Sequence, residues 1–129
     1  MSEAHDPVKV FLVDDSPLIR ERVAALLAHH AMAIVGQAGT PQAAVEGILT
    51  ALPDVVVLDV QLEGGTGLQV LQAVHQAKPQ IPFVVFSNNA GPIYRKRYLR
   101  EGAARFLDKS SEFELLAQAV VQTARQTAH

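Results

Sequence analysis

The sequence predicts a doubly wound α/β domain, in which a five-stranded parallel sheet lies between two layers of helices. Three short segments, Val8–Val13, Asp54–Leu58 and Ile81–Phe86, are almost continuously apolar and rich in β-branched residues. Strands that are covered on both faces have this composition. Two weaker candidates, Ala33–Ala38 and Ala104–Leu107, complete the five. Because helical patterns separate the five segments, the connections are long enough for the right-handed crossovers of a parallel sheet.

Helical signals fill the intervals between these strands. Ser16-Pro17 and Thr40-Pro41 each combine an N-cap residue with a proline in the first turn, and apolar residues follow at three- and four-residue steps. A third helix follows Gly67 and ends before Pro79. The last two helices are expected at about Pro92 to Arg100, closed by Gly102 as C-terminal cap, and at Glu112 to about Gln126.

Length and composition indicate one globular domain. The chain has 129 residues, of which 49% are hydrophobic and 19% charged, so it is too apolar for disorder. No run approaches the ~18 uninterrupted apolar residues of a membrane span. The absence of cysteine excludes a disulfide scaffold. We expect a single domain over residues 1–129, with its core at about residues 8–127.

Charge and the first residues bear on partners and location. Lys and Arg number 11 against 13 Asp and Glu, and a net charge of −2 does not predict a direct nucleic-acid partner. We also expect no membrane partner. Met1–Pro7 contains Glu3 and Asp6, lacks a basic start and leads into no long apolar run, so no secretory signal is predicted. A cytoplasmic location is therefore expected.

Polar and charged side chains come at or just after the ends of four predicted strands. Asp14 and Asp15 follow the first strand, Asp59 the third, Ser87 the fourth and Lys109 the fifth. Open parallel sheets bind ligands at this edge. Three carboxylates repel one another unless a cation is bound, and oxygen ligands without His or Cys favour Mg²⁺. A carboxylate can also accept a phosphoryl group, with a lysine and the cation neutralising its oxygens, so this edge is suited to phosphoryl chemistry.

At these positions the sequence resembles the receiver domain of two-component response regulators, over nearly the whole chain. Each matching fragment is weak alone, but their order and spacing are together highly specific. The resemblance implies a flavodoxin-like (βα)5 receiver fold with strand order 2-1-3-4-5, similar to single-domain chemotaxis receivers. The fragments are the Asp14-Asp15 pair, Asp59 within Leu58–Leu62, Gly67 eight residues later, Val84–Ser87, and Gly102–Lys109.

The resemblance implies a role for each acid. Asp59 is the implied phosphoacceptor, and Asp14 and Asp15 are implied to hold Mg²⁺ together with Asp59 and the main-chain carbonyl of Gln61. The implied function is a signalling switch, in which a sensor histidine kinase or a histidine phosphotransfer protein donates phosphoryl to Asp59. Apart from this self-directed phosphotransfer and autodephosphorylation, no enzymatic activity is expected.

Three further residues match the family's response to phosphorylation. Ser87 is implied to bond one phosphoryl oxygen, and Lys109 to pair with another. Phe106 matches the aromatic switch position, whose side chain turns inward when the Ser87 hydroxyl moves toward the phosphoryl group. The face built from helix four, strand five and helix five is then implied to bind a downstream protein, and it is a candidate surface for a homodimer.

Two positions depart from the family's pattern, and two others are variable within it. Glu63 replaces the usual proline four residues after Asp59 and precedes two glycines, which predicts a less rigid and more acidic loop. Asn88 replaces a small residue, and its larger side chain is expected to narrow access to Asp59. Gln61 and Asn89 occupy the variable positions that, in this family, influence how quickly water attacks the acyl phosphate.

Other interpretations of the acidic residues stay open. An Asp-Asp pair after a strand is often only a helix-capping turn, and an aromatic such as Phe106 belongs to the core in most sheets. A hydrolase that forms an aspartyl phosphate is the rival enzyme class, but Asp59-Val60-Gln61 lacks the second acid of its D-x-D pattern. A flavin- or nucleotide-binding domain needs a phosphate loop after the first strand, where Asp14-Asp15 stands.

A basic cluster with interleaved tyrosines falls on the fourth predicted helix. A solvated helix face is its first interpretation, a partner or dimer surface the second, and direct nucleic-acid contact the third. Three histidines on helices have no companion at metal-ligand spacing and are expected to be structural or surface residues. The cluster consists of Tyr94, Arg95, Lys96, Arg97, Tyr98 and Arg100, and the histidines are His29, His30 and His75.

Overall fold

The structure is a computed structural model and describes residues 6–127. Its strands are β1 (Lys9–Val13), β2 (Ala33–Ala38), β3 (Val55–Leu58), β4 (Gln61–Leu62), β5 (Gly65–Thr66), β6 (Phe83–Ser87) and β7 (Arg105–Asp108). Its α-helices are α1 (Pro17–His29), α2 (Pro41–Ala51), α3 (Gly67–Ala77), α4 (Pro92–Arg100) and α5 (Leu116–Thr127). Most of the segment on which the absence of a secretory signal was predicted, residues 1–5, lies outside the described residues. Within them, no helix is long and apolar enough to cross a bilayer.

Five strands form one parallel sheet in the order β2-β1-β3-β6-β7. Since β4 and β5 form a separate two-stranded hairpin, this is the predicted order 2-1-3-4-5, and the flavodoxin-like fold is confirmed. The strand order reverses at β1: β2 lies on one side of β1, and β3, β6 and β7 lie on the other. The carboxyl ends of β1 and β3 therefore flank the crevice in which such sheets place their ligands.

Alternate residues of each strand enter two separate cores, one on each face of the sheet. In β1, Phe11 and Val13 face the core covered by α2, α3 and α4, whereas Val10 and Leu12 face the core covered by α1 and α5. Both layers are buried, which is why the central strands β1, β3 and β6 are apolar except for Lys9 at the start of β1 and Ser87 at the end of β6. In the central strands the polar residues therefore stand at the ends, whereas the edge strand β2 is partly exposed along its length.

Side-chain caps fix the ends of the helices that surround the site. The Ser16 hydroxyl accepts from the Ile19 backbone N–H at 3.2 Å, and Thr40 caps α2 in the same way, so both predicted N-caps are confirmed. At the end of α4, the backbone N–H of Gly102 donates to Leu99 and that of Ala103 donates to Tyr98. Gly102 has a φ of +112°, so it fills the predicted capping role.

Two local features differ from the predicted secondary structure. The residues after Asp59 form the β4–β5 hairpin, which was not predicted, because strands of two residues carry no periodic signal. Its turn has Gly64 at a φ of +81°, and the Glu63 N–H ties it to the Gly39 carbonyl at 3.1 Å. The last helix does not begin at Glu112: a 3₁₀ turn at Phe113–Leu115 precedes α5. The remaining helices and strands agree with prediction to within two residues.

Candidate functional site

The carboxylates predicted at the strand ends meet at one point. Asp14 follows β1 and Asp59 follows β3, and these neighbouring strands are in register from Val10–Val55 to Val13–Leu58. The Asp59 N–H also donates to the Val13 carbonyl at 2.9 Å, which continues the ladder into the site. One carboxylate oxygen from each of Asp14, Asp15 and Asp59 lies within 4.8 Å of the others. Among the described residues, this is the one cluster of three or more potential metal ligands.

Burial distinguishes the three acids. Asp14 and Asp59 are 6% and 8% exposed, whereas Asp15 is exposed to solvent. The Asp14 carboxylate accepts from the Ser16 N–H at 2.9 Å, so this acid also shapes the turn into α1. One oxygen of Asp59 accepts from the Val60 N–H at 2.7 Å. The capping-turn interpretation of Asp14 is thus correct as far as it goes, and it is compatible with a place in the cluster.

Lys109 joins the two buried acids. Its ammonium lies 3.1 Å from an Asp59 oxygen and pairs with Asp14 as well, and its side chain is 8% exposed. It reaches this position because β7 pairs with β6 up to Ser87–Asp108, which brings the next residue to the edge of the sheet. With three carboxylates and one ammonium, the cluster has excess negative charge. Such a set of oxygen donors suits a hard divalent cation.

Burial and charge shift two pKa values in the cluster. Burial raises the pKa of Asp59 above its ordinary value; the nearby charge of Asp14 adds to the rise, while Lys109 and a hydrogen bond with Ser87 oppose it. Burial lowers the pKa of Lys109, but hydrogen bonding to Asp14 and the charges of both acids outweigh it, so its pKa is raised. Lys109 is therefore an ammonium at neutral pH, and Asp59 binds a proton more tightly than an exposed aspartate does.

Ser87 and its neighbours line the approach to Asp59. Ser87 is fully buried and its hydroxyl accepts from the Asn89 N–H at 3.0 Å. The Asn89 amide donates to the Gln61 side-chain carbonyl at 3.4 Å, so the two variable positions contact each other across the site. Asn88 is exposed and, with Lys109 and Ser111, lines a cavity of about 540 Å³ beside the cluster. The effect of Asn88 on access stays a prediction.

Gly67 stands where no side chain fits. A β carbon there would lie 2.1 Å from the Asp59 carbonyl oxygen, and the Gly67 N–H donates to Val60 at 2.7 Å. The N-terminus of α3 is thus packed directly on the backbone of Asp59. Steric contact with Asp59 therefore explains why a glycine stands eight residues after this acid.

Phe106 is buried and enclosed by two residues of α4. Tyr98 packs edge-on against its ring at 6.0 Å, and the Arg95 guanidinium lies 5.2 Å from the ring centre. Arg95 also donates to the Phe106 carbonyl at 2.8 Å. Tyr98 is 3% exposed, and its hydroxyl donates to the Val60 carbonyl at 3.4 Å. Burial raises the pKa of Tyr98 to about 12, so it remains a hydrogen-bond donor.

Sequence reasoning missed two arginines beside the site. The Arg20 guanidinium donates to the Asp14 carbonyl and holds the β1–α1 turn from behind, and Arg95 covers Phe106. Arg20 comes four residues, about one helical turn, after the Ser16 cap, so its side chain lies over the β1–α1 loop. This spacing was the sequence signal that could have identified it. Arg95 was assigned to a solvated basic face, and its contact with Phe106 depends on the packing of α4 against β7. None of the three histidines joins the acidic cluster.

The sequence and the structure both match known proteins. The profile of the response regulator receiver domain matches residues 10–121. The chain is 40% identical over 106 residues to protein-glutamate methylesterase/protein-glutamine glutaminase 5 of Anaeromyxobacter dehalogenans, covering 80% of this chain and 29% of that protein. It is 36% identical over 121 residues to the regulatory protein NarL of Mycobacterium tuberculosis, covering 93% of this chain and 56% of that protein. It thus spans about half or less of the length of these relatives.

Two solved structures share the fold closely. The receiver domain of NarL from M. tuberculosis superimposes with a TM-score of 0.87 at 34% identity, covering 94% of this chain and 98% of that one. The response regulator domain of CheB from Thermotoga maritima gives a TM-score of 0.80 at 26% identity, covering 94% and 96%.

The profile match settles the class of protein. The chain belongs to the family of response regulator receiver domains of two-component systems. Its acidic pocket of Asp14, Asp15 and Asp59 fits the phosphoacceptor site of that family. Receiver domains exchange phosphoryl groups with histidine kinases or phosphotransfer proteins, and they generally bind a divalent cation at such a cluster.

Proposed function

We propose that this receiver is a phosphorylation switch in which Asp59 accepts a phosphoryl group from a phosphohistidine. The observation that carries the proposal is the position of Asp59, buried at the switch point of the sheet beside Asp14 and Asp15 and paired with Lys109. One Asp59 carboxylate oxygen attacks phosphorus as a P–O bond forms. The P–N bond to the donor histidine breaks, and its electron pair stays on the imidazole nitrogen.

Asp14, Asp15, Asp59 and the main-chain carbonyl of Gln61 are the proposed ligands of Mg²⁺. All are oxygen donors, as Mg²⁺ prefers, and no His or Cys joins the described cluster. Bound there, the cation supplies positive charge to the oxygens of the transferring phosphoryl group. Arg20 and the Ser16 N–H hold the backbone and carboxylate of Asp14 in place for this role.

We propose that Lys109 and Ser87 contact the phosphoryl group on Asp59. Lys109 already pairs with an Asp59 oxygen, and the buried Ser87 hydroxyl lies close enough to lower the pKa of that acid by hydrogen bonding. Movement of Ser87 toward the phosphoryl group would change the space beside Phe106. Phe106 lies on the neighbouring strand β7, where it pairs with Val85 of β6. Phe106 is the proposed aromatic switch, and its movement would alter its contacts with Arg95 and Tyr98.

The altered surface is the face formed by α4, β7 and α5. We propose that this face binds a downstream protein and is a candidate dimer surface. A sensor histidine kinase or a histidine phosphotransfer protein is the proposed phosphoryl donor. The receiver is proposed to form one domain with its core at about residues 8–127, to have no other enzymatic activity, and to act in the cytoplasm.

Phosphoryl labelling tests the proposal directly. Incubation with acetyl phosphate and Mg²⁺ should add the mass of one phosphoryl group to the protein, and Asp59→Asn should abolish the gain because it removes the attacking oxygen. Asp54→Asn, at an acid outside the cluster whose carboxylate accepts from the Lys9 N–H, is the matched control and should label normally. Intact-protein mass spectrometry reads both. Absence of labelling, even with a cognate histidine kinase, would contradict the proposal.

A further inference from the structure

A groove runs along the side of α4 opposite Arg95, and it shares Tyr98 with the packing around Phe106. Between this helix, the β4–β5 hairpin and the start of α3 it encloses about 530 Å³, a volume within the roughly 300–1,000 Å³ range of ligand pockets. We name it the α4 groove. Its lining residues include Val60, Leu68, Ile93, Lys96, Arg97 and Arg100.

We propose that the α4 groove binds an acidic segment of a partner protein that carries one or two large apolar side chains. The wall of the groove is apolar. Ile93 is 84% exposed, and Tyr94 beside it is 46% exposed, although both are large apolar side chains on an ordered helix. The buried residues of the lining, which form its base, are Val60 and Tyr98. An exposed apolar patch with a polar rim is a mark of an interaction site.

The rim of the groove is positively charged. Lys96, Arg97 and Arg100 line the groove, and all three are exposed. They recur with Ile93 at steps of three, four and seven residues, so the four side chains form one stripe along α4. None of the described residues that line the groove is an aspartate or glutamate. One of these cations, Arg97, pairs with Glu101 at the end of α4 at 3.4 Å, and both side chains are partly exposed.

The chemistry of the groove favours a peptide over a nucleic acid. Tyr98 is buried, and its hydroxyl is engaged with Val60, so Tyr94 is the one tyrosine of the basic cluster that is free to stack on a base. An apolar base below a basic rim instead matches a segment whose apolar side chains enter the groove while its carboxylates meet the cations. This surface also differs from the one assigned to the switch, because Arg95 on the opposite side of α4 contacts Phe106 and Glu112.

The test uses a short synthetic peptide with leucines among glutamates and one tryptophan. The protein has no tryptophan, so the emission of the peptide is a unique signal. The titration is done without Mg²⁺ and without a phosphodonor, which makes its outcome independent of phosphorylation at Asp59. We expect saturable binding that weakens as salt is added, because exposed charges are screened. Peptides with Glu replaced by Gln, or Leu by Ser, should bind about tenfold less tightly, a difference of about 1.4 kcal/mol.

Matched variants locate the binding site. Lys96→Glu with Arg100→Glu should weaken binding about tenfold, whereas Lys78→Glu with Arg125→Glu changes the net charge equally, at exposed residues outside the groove, and should not. Ile93→Ala should also weaken binding, and Leu18→Ala, at an apolar residue 62% exposed on α1, should leave it unchanged. Circular dichroism confirms that each variant is folded.

Three results would overturn the proposal. The first is no peptide binding to the unmodified protein, and the second is equal loss of binding in the groove and control variants. The third is binding of another class of partner in its place: a single-stranded oligonucleotide, or a second copy of this chain in sedimentation experiments, lost with Lys96→Glu and Arg100→Glu while the peptide does not bind.

Discussion

The acidic cluster and the basic stripe of α4 carry opposite charges in opposite environments. Asp14 and Asp59 are less than 9% exposed and share one buried ammonium, whereas Lys96, Arg97 and Arg100 are exposed. The net charge of −2 averages these two regions and describes neither. The buried charges interact strongly because water screens them little. Burial raises the pKa of Asp59, and pairing with both acids raises the pKa of Lys109. The exposed charges interact weakly with one another and are available to a partner.

Removal of one cation from each region should give the largest difference in the free energy of unfolding between the two regions. Lys109→Ala leaves two buried carboxylates without a neutralising cation and should lower the free energy of unfolding by about 3 kcal/mol. Arg100→Ala, at an exposed cation of the basic stripe, should change it by less than about 0.5 kcal/mol. Urea unfolding without divalent cations measures both. Equal costs for the two deletions would show that burial does not distinguish the regions.

A methyl group added beside each region should give the second largest difference in stability. Gly67→Ala forces a β carbon against the Asp59 carbonyl and should cost about 1–3 kcal/mol, as overpacking does. It should also slow labelling with acetyl phosphate, because the backbone of Asp59 must shift. Gly91→Ala, at the start of α4, places its methyl group where nothing lies within 4 Å and is the control. A smaller cost at position 67 than at position 91 would contradict the close packing of α3 on the site.

Neutralisation of one acid tests the excess negative charge of the cluster. Without divalent cations, Asp59→Asn should raise Tm by a few degrees, at roughly 4 °C per kcal/mol for a domain of this size. Mg²⁺ should raise the Tm of the unmodified protein and have less effect on the variant. Glu101→Gln, at a surface ion pair of α4, is the control and should not raise Tm.

The same variant predicts a direction for pH dependence. The pKa of Asp59 in the folded protein lies above its ordinary value of 3.8. The folded state therefore holds the proton more tightly than the unfolded chain, and this residue's contribution to the free energy of unfolding falls as pH rises through the window between the two pKa values. The stabilisation by Asp59→Asn should be present at neutral pH and should disappear in acid below 3.8. A constant difference at all pH values would contradict a raised pKa.

Access to the cluster should have the smallest effect. Asn88→Ala removes an exposed side chain beside Lys109 and should increase the rate of labelling by small phosphodonors about threefold, less than 1 kcal/mol on the barrier. Ser111→Ala, on the same cavity, is the control and should leave the rate unchanged. An unchanged rate for Asn88→Ala would remove the steric argument.

Much of the fold and of the site could be predicted because each signal is local. Ser16-Pro17 and Thr40-Pro41 specify helix starts within four residues, and the apolar strands read directly as buried. The five polar residues of the site stand at strand ends, so a correct sheet brings them to one edge. The β4–β5 hairpin could not be predicted, since its two-residue strands depend on Gly64 and on a bond to Gly39, a residue distant in sequence.

The sequence by itself determined the strands and the polar residues at the carboxyl-end edge of the sheet. It determined the strand order through the family resemblance. Only the tertiary structure decided how those residues are paired: that Lys109 bridges Asp14 and Asp59, that Arg20 supports Asp14, and that α4 has one side on Phe106 and another on a groove. The physical reason is distance along the chain. Lys109 and Asp59 are separated by 50 residues, and burial, which sets the strength of their interaction, exists only after the sheet and helices have packed.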